Sequence, residues 1–162
     1  MKRLVLVIAL AVSSLTASAQ FSIGASFGLP TGDASDLTTF ALGIDANYTF
    51  ESDSEVSFGL ATGFLTYFGD EVTILNTTFE LDNANFIPLA GTVRYGLSEK
   101  FSLGADVGYA IGANDGNDGG FYYRPMLVYS IGEKSSINLS YSGVTSDGTT
   151  LSNIGLGIMF KL

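Results

Sequence analysis

The sequence contains no cysteine and no histidine among its 162 residues. Without cysteine the chain cannot form disulfides or thiolate metal sites, and no lipid-anchoring cysteine follows its amino-terminal segment. Without histidine it lacks the side chain that most often serves as general base and metal ligand near neutral pH. The commonest catalytic and metal-binding sites are therefore excluded.

Long apolar runs and basic residues are also scarce. No apolar run beyond residue 12 reaches the roughly 18 residues that a membrane-spanning helix requires. The 20 glycines and three prolines argue further against long helices. Only seven lysines and arginines stand against 16 aspartates and glutamates, so nucleic acid is not expected as a partner.

The amino terminus has the features of a secretory signal peptide. Lys2 and Arg3 precede an apolar run over residues 4–12, and Ala17-Ser18-Ala19 forms a cleavage motif before Gln20. The pattern predicts a signal peptide at residues 1–19 and one exported domain at residues 20–162. That domain keeps five basic and 16 acidic residues, a net charge of −11.

Large apolar residues alternate with small or polar ones along most of the exported domain, the period of a β-strand. In the last such segment Leu156, Ile158 and Phe160 share one face, and the alternation continues to the end of the sequence, which is typical of the closing strand of an outer-membrane barrel. Eight segments show this period: 20–29, 39–50, 55–67, 85–96, 101–111, 121–131, 136–144 and 152–162.

The connections between these segments alternate in length. Short ones at 51–54, 97–100 and 132–135 alternate with longer ones at 30–38, 68–84, 112–120 and 145–151. Short periplasmic turns and long outer loops are the pattern of transmembrane barrels. Residues 72–81 are partly β-like, and we interpret them as a hairpin extending the second outer loop. The alternative is a strand pair within a ten-stranded barrel.

The composition of the two strand faces distinguishes a membrane barrel from a soluble one. A soluble ligand-binding barrel of eight strands also alternates, but its polar face would carry many charges. Here that face is mostly glycine, serine, alanine, asparagine and threonine, which suits a narrow lumen. Aromatic residues near the strand ends predict two interfacial girdles. They are Phe21, Tyr48, Phe50, Phe58, Tyr95, Phe101, Tyr129 and Phe160 at one rim, and Phe27, Phe40, Phe64, Phe86, Tyr109 and Tyr123 at the other.

A few charged residues fall on the face assigned to the lumen. Buried charges persist only when they are paired, and an eight-stranded barrel leaves room only for side chains. We therefore expect a salt-bridge network that plugs the barrel, with a proton or ion path as the alternative. The residues are Asp45, Arg94, Asp106, Arg124 and Lys161.

Residues 86–112 resemble a strand, turn and strand of the outer-membrane protein β-barrel domain family, and the resemblance extends loosely from Phe21 to Leu162. The chain is also similar to the small outer-membrane protein X and A barrels. The resemblance implies an eight-stranded barrel in the outer membrane of a Gram-negative cell, associated with adhesion and defence. It supplies no catalytic residues. The chain has Leu162 where many relatives end in phenylalanine.

The proposed outer loops carry nine acidic residues and no basic ones. Plain solvation explains such a rim, and weak sharing of divalent cations with lipopolysaccharide is the alternative. The Asn-Asp-Gly repeats at 114–119 do not match a calcium-binding loop and are typical of turns. The residues considered for weak cation binding are Asp70, Glu71, Asp115 and Asp118.

These observations predict an all-β fold: an eight-stranded, antiparallel, up-and-down transmembrane barrel. The expected function is non-enzymatic, in envelope integrity and surface presentation of acidic loops. A narrow pore for ions or small solutes is one alternative. A lipid-modifying envelope enzyme is a weaker one, because no histidine can activate a serine. Expected partners are outer-membrane lipid, lipopolysaccharide and the barrel assembly machinery, with the chain monomeric and without a cofactor.

Overall fold

Ten strands lie in the described part of the chain, and eight of them close into a barrel. The structure, a computed structural model, describes residues 19–50, 54–74 and 77–162. The strands are β1 Ala19–Thr31, β2 Thr38–Phe50, β3 Val56–Gly69, β4 Glu71–Ile74, β5 Thr77–Glu80, β6 Ala84–Gly96, β7 Phe101–Gly112, β8 Gly120–Ser130, β9 Ser135–Ser146 and β10 Thr149–Lys161, with a short 3₁₀ helix, η1, at Gly32–Asp36.

The barrel is up-and-down and antiparallel throughout. Around the ring the strands follow the order β1, β10, β9, β8, β7, β6, β3, β2, and β1 pairs with β10 to close it, with Ile23 opposite Phe160. The eight predicted strands are confirmed, and most extend one to three residues beyond the predicted ends. The predicted signal peptide lies almost wholly outside the described residues.

The remaining two strands form a separate sheet in the second long loop. β4 and β5 pair with each other, with Val72 opposite Phe79. β3 pairs directly with β6, with Leu60 opposite Gly91. The hairpin therefore extends the second outer loop, and the alternative prediction of a ten-stranded barrel is wrong.

The two faces of each barrel strand differ sharply in exposure. Large apolar residues point outward, where Ile44 is 67% exposed and Leu156 is 65% exposed. The lumen holds the buried residues, among them Asp106 at 0%. This inversion of the usual soluble pattern lets the apolar side chains contact lipid, while each of the eight barrel strands bonds to two neighbours. Helical membrane spans are not found in the described parts of the chain, where no helix combines the necessary length and apolarity.

Proline interrupts the hydrogen-bonded ladder at two seams. Between β8 and β9 the pairing stops after Tyr123–Gly143 and resumes at Met126–Ser140, around Pro125. A second gap, around Pro88, interrupts the pairing between β3 and β6. Proline has no N–H to donate, and the register is unchanged across each gap, so these are missing bonds and not bulges.

The long-loop end is ordered by local hydrogen bonds. η1 folds over the barrel mouth with Ala34 fully buried, and the Thr38 hydroxyl donates to the Ala34 carbonyl at 2.7 Å. Asparagine side chains of the third long loop contact the second loop at the Asn83 carbonyl and the start of β6 at Asn85. The Asn114 side chain accepts from the Asn85 N–H at 2.9 Å, and the Asn117 amide donates to the Asn85 carbonyl at 2.8 Å. The 114–119 turn is thus an anchor between loops.

Candidate functional site: the barrel lumen

A salt bridge crosses the lumen near its middle. Arg124 lies on β8 and Asp45 on β2, four strands apart in either direction around the ring and therefore opposite each other. The Arg124 Nη1 donates to Asp45 Oδ1 at 2.6 Å. On its own side of the barrel, Arg124 contacts Asp106 Oδ2 through Nε at 3.0 Å and Nη2 at 2.8 Å. All three guanidinium nitrogens are thus engaged.

Asp106 is the most enclosed member of this group. Besides Arg124, it accepts at Oδ1 from the Thr92 hydroxyl at 2.6 Å and from Arg94 Nη1 at 2.8 Å. Its side chain is wholly buried, whereas that of Arg94 is 18% exposed. Two arginines and two aspartates make a neutral, fully connected layer, which is the arrangement that buried charges require. We call Asp45, Arg94, Asp106 and Arg124 the central charge layer.

Lys161, the fifth predicted member, does not join this layer. It lies in the lumen wall near the short-turn end and makes no ion pair among the described residues. The registers explain the separation: Asp45 pairs with Gly24, which pairs with Met159. Lys161 is two residues further along β10, or about 7 Å at the rise of a strand. Lys161 thus lies on the lumen side of β10 but outside the central charge layer.

A second, uncharged crossing lies nearer the long loops. Tyr67 on β3 is fully buried, and its hydroxyl accepts from the Asn153 side-chain amide of β10 at 2.8 Å and donates to the Leu151 carbonyl at 3.1 Å. Phe86 packs edge-on against Tyr67, with ring centroids 6.2 Å apart. The girdle assignment of Phe86 is therefore wrong. Phe86 occupies an inward position of β6, and its aromatic side chain packs inside the lumen.

The two crossings divide the lumen unequally. Between them lies a cavity of about 20 Å³, lined in part by Tyr122 and Arg124, which is space for about one water molecule. Below the central charge layer a polar cavity of about 200 Å³ extends to the short turns, reaching Gly132 and Glu133. We call this lower cavity the periplasmic vestibule. Above the layer, small and aromatic residues close the barrel: Ala41, Ala61, Tyr67, Phe86, Ala90, Ala110, Tyr122 and Val144.

The upper crossing is not predicted from the sequence, because its two residues share no local sequence pattern. Tyr67 and Asn153 are 86 residues apart and belong to different hairpins. A large polar residue on a lumen face otherwise made of small residues was the one available signal. Tyr67 and Tyr122 both have it, at inward positions of β3 and β8.

The acidic loop residues are dispersed. Asp70 lies between β3 and β4, Glu71 begins β4, and Asp115 and Asp118 belong to the third long loop. Asp118 accepts a hydrogen bond from the Tyr109 hydroxyl through its backbone carbonyl, at 2.9 Å. In the described ranges no three acidic side chains gather closely enough to hold a metal ion.

Known structures share this architecture. Ail of Yersinia pestis, determined in a phospholipid bilayer nanodisc, superposes with a TM-score of 0.59 at 15% identity, over 89% of this chain and 99% of that one. The amino-terminal barrel of Pseudomonas aeruginosa OprF gives 0.53 at 17% identity, over 88% and 97%. A de novo designed transmembrane barrel gives 0.56 at 13%, over 88% and 95%. At these identities the likeness shows the fold alone.

Family membership, which a likeness of fold at these identities does not show, follows from a match to a family model. The model described as the outer membrane protein beta-barrel domain matches residues 4–162. Comparison with curated protein sequences gave no match. A barrel of this family, with its apolar face turned outward, resides in the outer membrane and fits a non-enzymatic role in the envelope. The chain is thus a member of the outer membrane protein beta-barrel domain family.

Proposed function

We propose that this chain is a closed barrel that supports the outer membrane and acts through its outer loops, and that it does not conduct solutes. The observation that carries the proposal is the Arg124–Asp45 bridge, which joins opposite walls of the lumen at 2.6 Å. The Tyr67–Asn153 crossing adds a second barrier above it. An ion would have to break both.

A narrow pore is the second candidate, because the periplasmic vestibule already opens a polar path through the lower part of the lumen. Planar-bilayer recordings separate the two functions. The wild-type barrel should show little steady conductance. A variant combining Arg124→Ala, Asp45→Asn and Tyr67→Ala removes both crossings without leaving Asp45 charged, and should conduct measurably. Large, stable wild-type channels would promote the pore and end the closed-barrel proposal.

The proposed interaction role rests on the β4–β5 hairpin, which stands apart from the barrel sheet. The Leu81 N–H donates to the Asp70 carbonyl at 3.0 Å, so the chain ends flanking the hairpin already meet. The name of Ail, the attachment invasion locus protein, gives a precedent for such a role on this fold.

Deletion of residues 71–80 tests the role. The shortened barrel should insert normally but lose surface attachment or envelope protection in cells that depend on the full chain. A substitution within a short turn, Lys100→Gln, serves as the control. If the deletion leaves both phenotypes unchanged, the hairpin has no part in the function.

The acidic rim carries a further part of the proposal: Mg²⁺ or Ca²⁺ bridges loop carboxylates to lipid phosphates. No single loop offers enough oxygen ligands for a complete cage, so binding should be weak. Binding of the barrel in lipopolysaccharide bilayers should depend less on Mg²⁺ once four acids become amides. If the binding of wild type and variant depends equally on Mg²⁺, the acidic rim contributes only to solvation. The four are Asp70, Glu71, Asp115 and Asp118.

Assembly state and insertion are also proposals. We infer that the barrel acts as a monomer, because its ring of eight strands is closed and leaves no barrel edge to pair with another copy. We expect the barrel assembly machinery to insert it. Crosslinking in native membranes followed by mass measurement checks the monomer inference, which a dominant dimer would contradict.

A further inference from the structure

The periplasmic vestibule contains hydrogen-bonding capacity that the fold itself does not use. Its walls carry serine hydroxyls from several strands, including Ser22, Ser57, Ser102 and Ser136. Its volume of about 200 Å³ is about ten times that of the cavity between the two crossings. A small organic molecule fits this space, and the opening at the short turns gives it a route in.

Arg94 is the main source of unused donors. All its hydrogen bonds among the described residues pass through Nη1, to Asp106, Val93 and Ala105, which leaves Nε and Nη2 without partners there. Arg124 differs, because each of its nitrogens already contacts a carboxylate. The Arg94 side chain lies over Gly104, where an added Cβ would come within 2.9 Å of Nε. The missing side chain at Gly104 thus makes room for the partly exposed guanidinium at the vestibule wall.

Two buried amides add unused acceptors. The side-chain oxygens of Asn47 and Asn138 have no hydrogen-bond partner among the described residues. Both residues line the vestibule and are more than nine-tenths buried. A buried polar atom without a partner costs free energy, and a hydroxyl donor held in the vestibule would lower that cost.

The charge balance of the vestibule selects the ligand's sign. The central charge layer is neutral in sum, so Lys161 adds a positive charge that no ion pair among the described residues offsets. Glu133 is the one acidic residue lining the vestibule wall among the described residues, and it lies at the exposed mouth. The described residues that line it include three basic side chains, Arg94, Arg124 and Lys161, and one acidic side chain, the reverse of the balance in the whole sequence. An anion that also bears hydroxyl groups could contact both the cationic side chains and the unpartnered amide oxygens of the vestibule.

We propose that the periplasmic vestibule binds small hydroxylated carboxylates, with Arg94 and Lys161 contacting the carboxylate and Asn47 and Asn138 the hydroxyl groups. The site lies below the central charge layer, so binding does not depend on whether the barrel conducts. Because the mouth is open and Lys161 is exposed, the affinity should be modest, at about the millimolar level.

Side-chain NMR of the full barrel in phosphocholine nanodiscs tests the proposal, with malate as probe and glycerol as its uncharged counterpart at constant ionic strength. Malate should shift the Arg94 Nε–H and Asn138 amide signals saturably, and glycerol should shift them less. If malate gives no saturable shift, the vestibule holds water only. If glycerol matches malate, the positive charge plays no part and the proposal fails.

Three variants sharpen the test. Lys161→Gln should weaken malate binding about two- to fivefold, the usual range for an exposed charge contact. Lys100→Gln removes the same charge from a short turn outside the vestibule and should change nothing. Ser136→Phe should fill the vestibule and abolish binding while leaving the central charge layer in place. Equal effects of the two lysine variants, or undiminished binding to a folded Ser136→Phe barrel, would overturn the assignment.

Discussion

Removal of Arg124 is the most informative perturbation of this barrel. Among the described residues, Arg124→Ala leaves Asp45 with a single hydrogen bond, from the Ser26 hydroxyl at 3.2 Å. It also takes two contacts from Asp106, although Arg94 and Thr92 still hold that carboxylate. Breaking a buried ion pair by removing one partner costs about 3–5 kcal/mol, because the other charge stays buried without compensation.

Arg94→Ala provides the internal comparison. Asp106 then keeps both Arg124 contacts and the Thr92 hydroxyl, so this carboxylate loses one charge-assisted hydrogen bond, worth about 1.5–3 kcal/mol. Arg94 is also partly exposed, which places its cost toward the lower end of that range. The structure therefore predicts an order of destabilisation, with Arg124→Ala costing more than Arg94→Ala.

Urea unfolding of the barrel in lipid vesicles, followed by circular dichroism, measures both costs. Lys100→Ala, on an exposed turn, should stay within about 0.5 kcal/mol of wild type. Adding Asp45→Asn to Arg124→Ala should recover part of the loss, since it removes the stranded charge. Equal stability of the Arg124→Ala variant and the Lys100→Ala control, or a larger loss for Arg94→Ala than for Arg124→Ala, would contradict the predicted order.

Three further predictions concern the outer face, the glycines and processing. Ile158→Arg should destabilise the inserted barrel by up to about 2–4 kcal/mol, and Phe160→Asp, near the interface, by about 0–1 kcal/mol or less; equal folding yields in vesicles would count against the assigned depth. Gly108→Ala should cost about 1–3 kcal/mol, because the new Cβ would overlap the Leu89 carbonyl oxygen, whereas at Gly91 the nearest atom is 3.9 Å away and Ala should be tolerated in the same urea assay. Mass spectrometry of the outer-membrane form should find a chain beginning at Gln20, and one that keeps Met1 would contradict the signal peptide.

The positions of the barrel strands and the orientation of their faces can be predicted from the local residue pattern. Side chains of a strand alternate with a period of two whatever the strand's partners are, so a run such as Leu156, Ile158 and Phe160 identifies its lipid-facing side locally. The charged residues were likewise assigned to the lumen by parity, and Asp45, Arg94, Asp106 and Arg124 all lie there.

The depth of each inward residue and its contacts across the lumen depend on how the strands are arranged in the closed ring. Register between strands and closure of the ring fix which inward residues share a level, and neither is encoded in the alternation of one strand. For this reason Lys161 has the predicted face but lies below the central charge layer, and Phe86 fills the lumen where a girdle was expected. The contact between Tyr67 and Asn153 likewise exists only because the ring brings β3 and β10 nearly opposite each other.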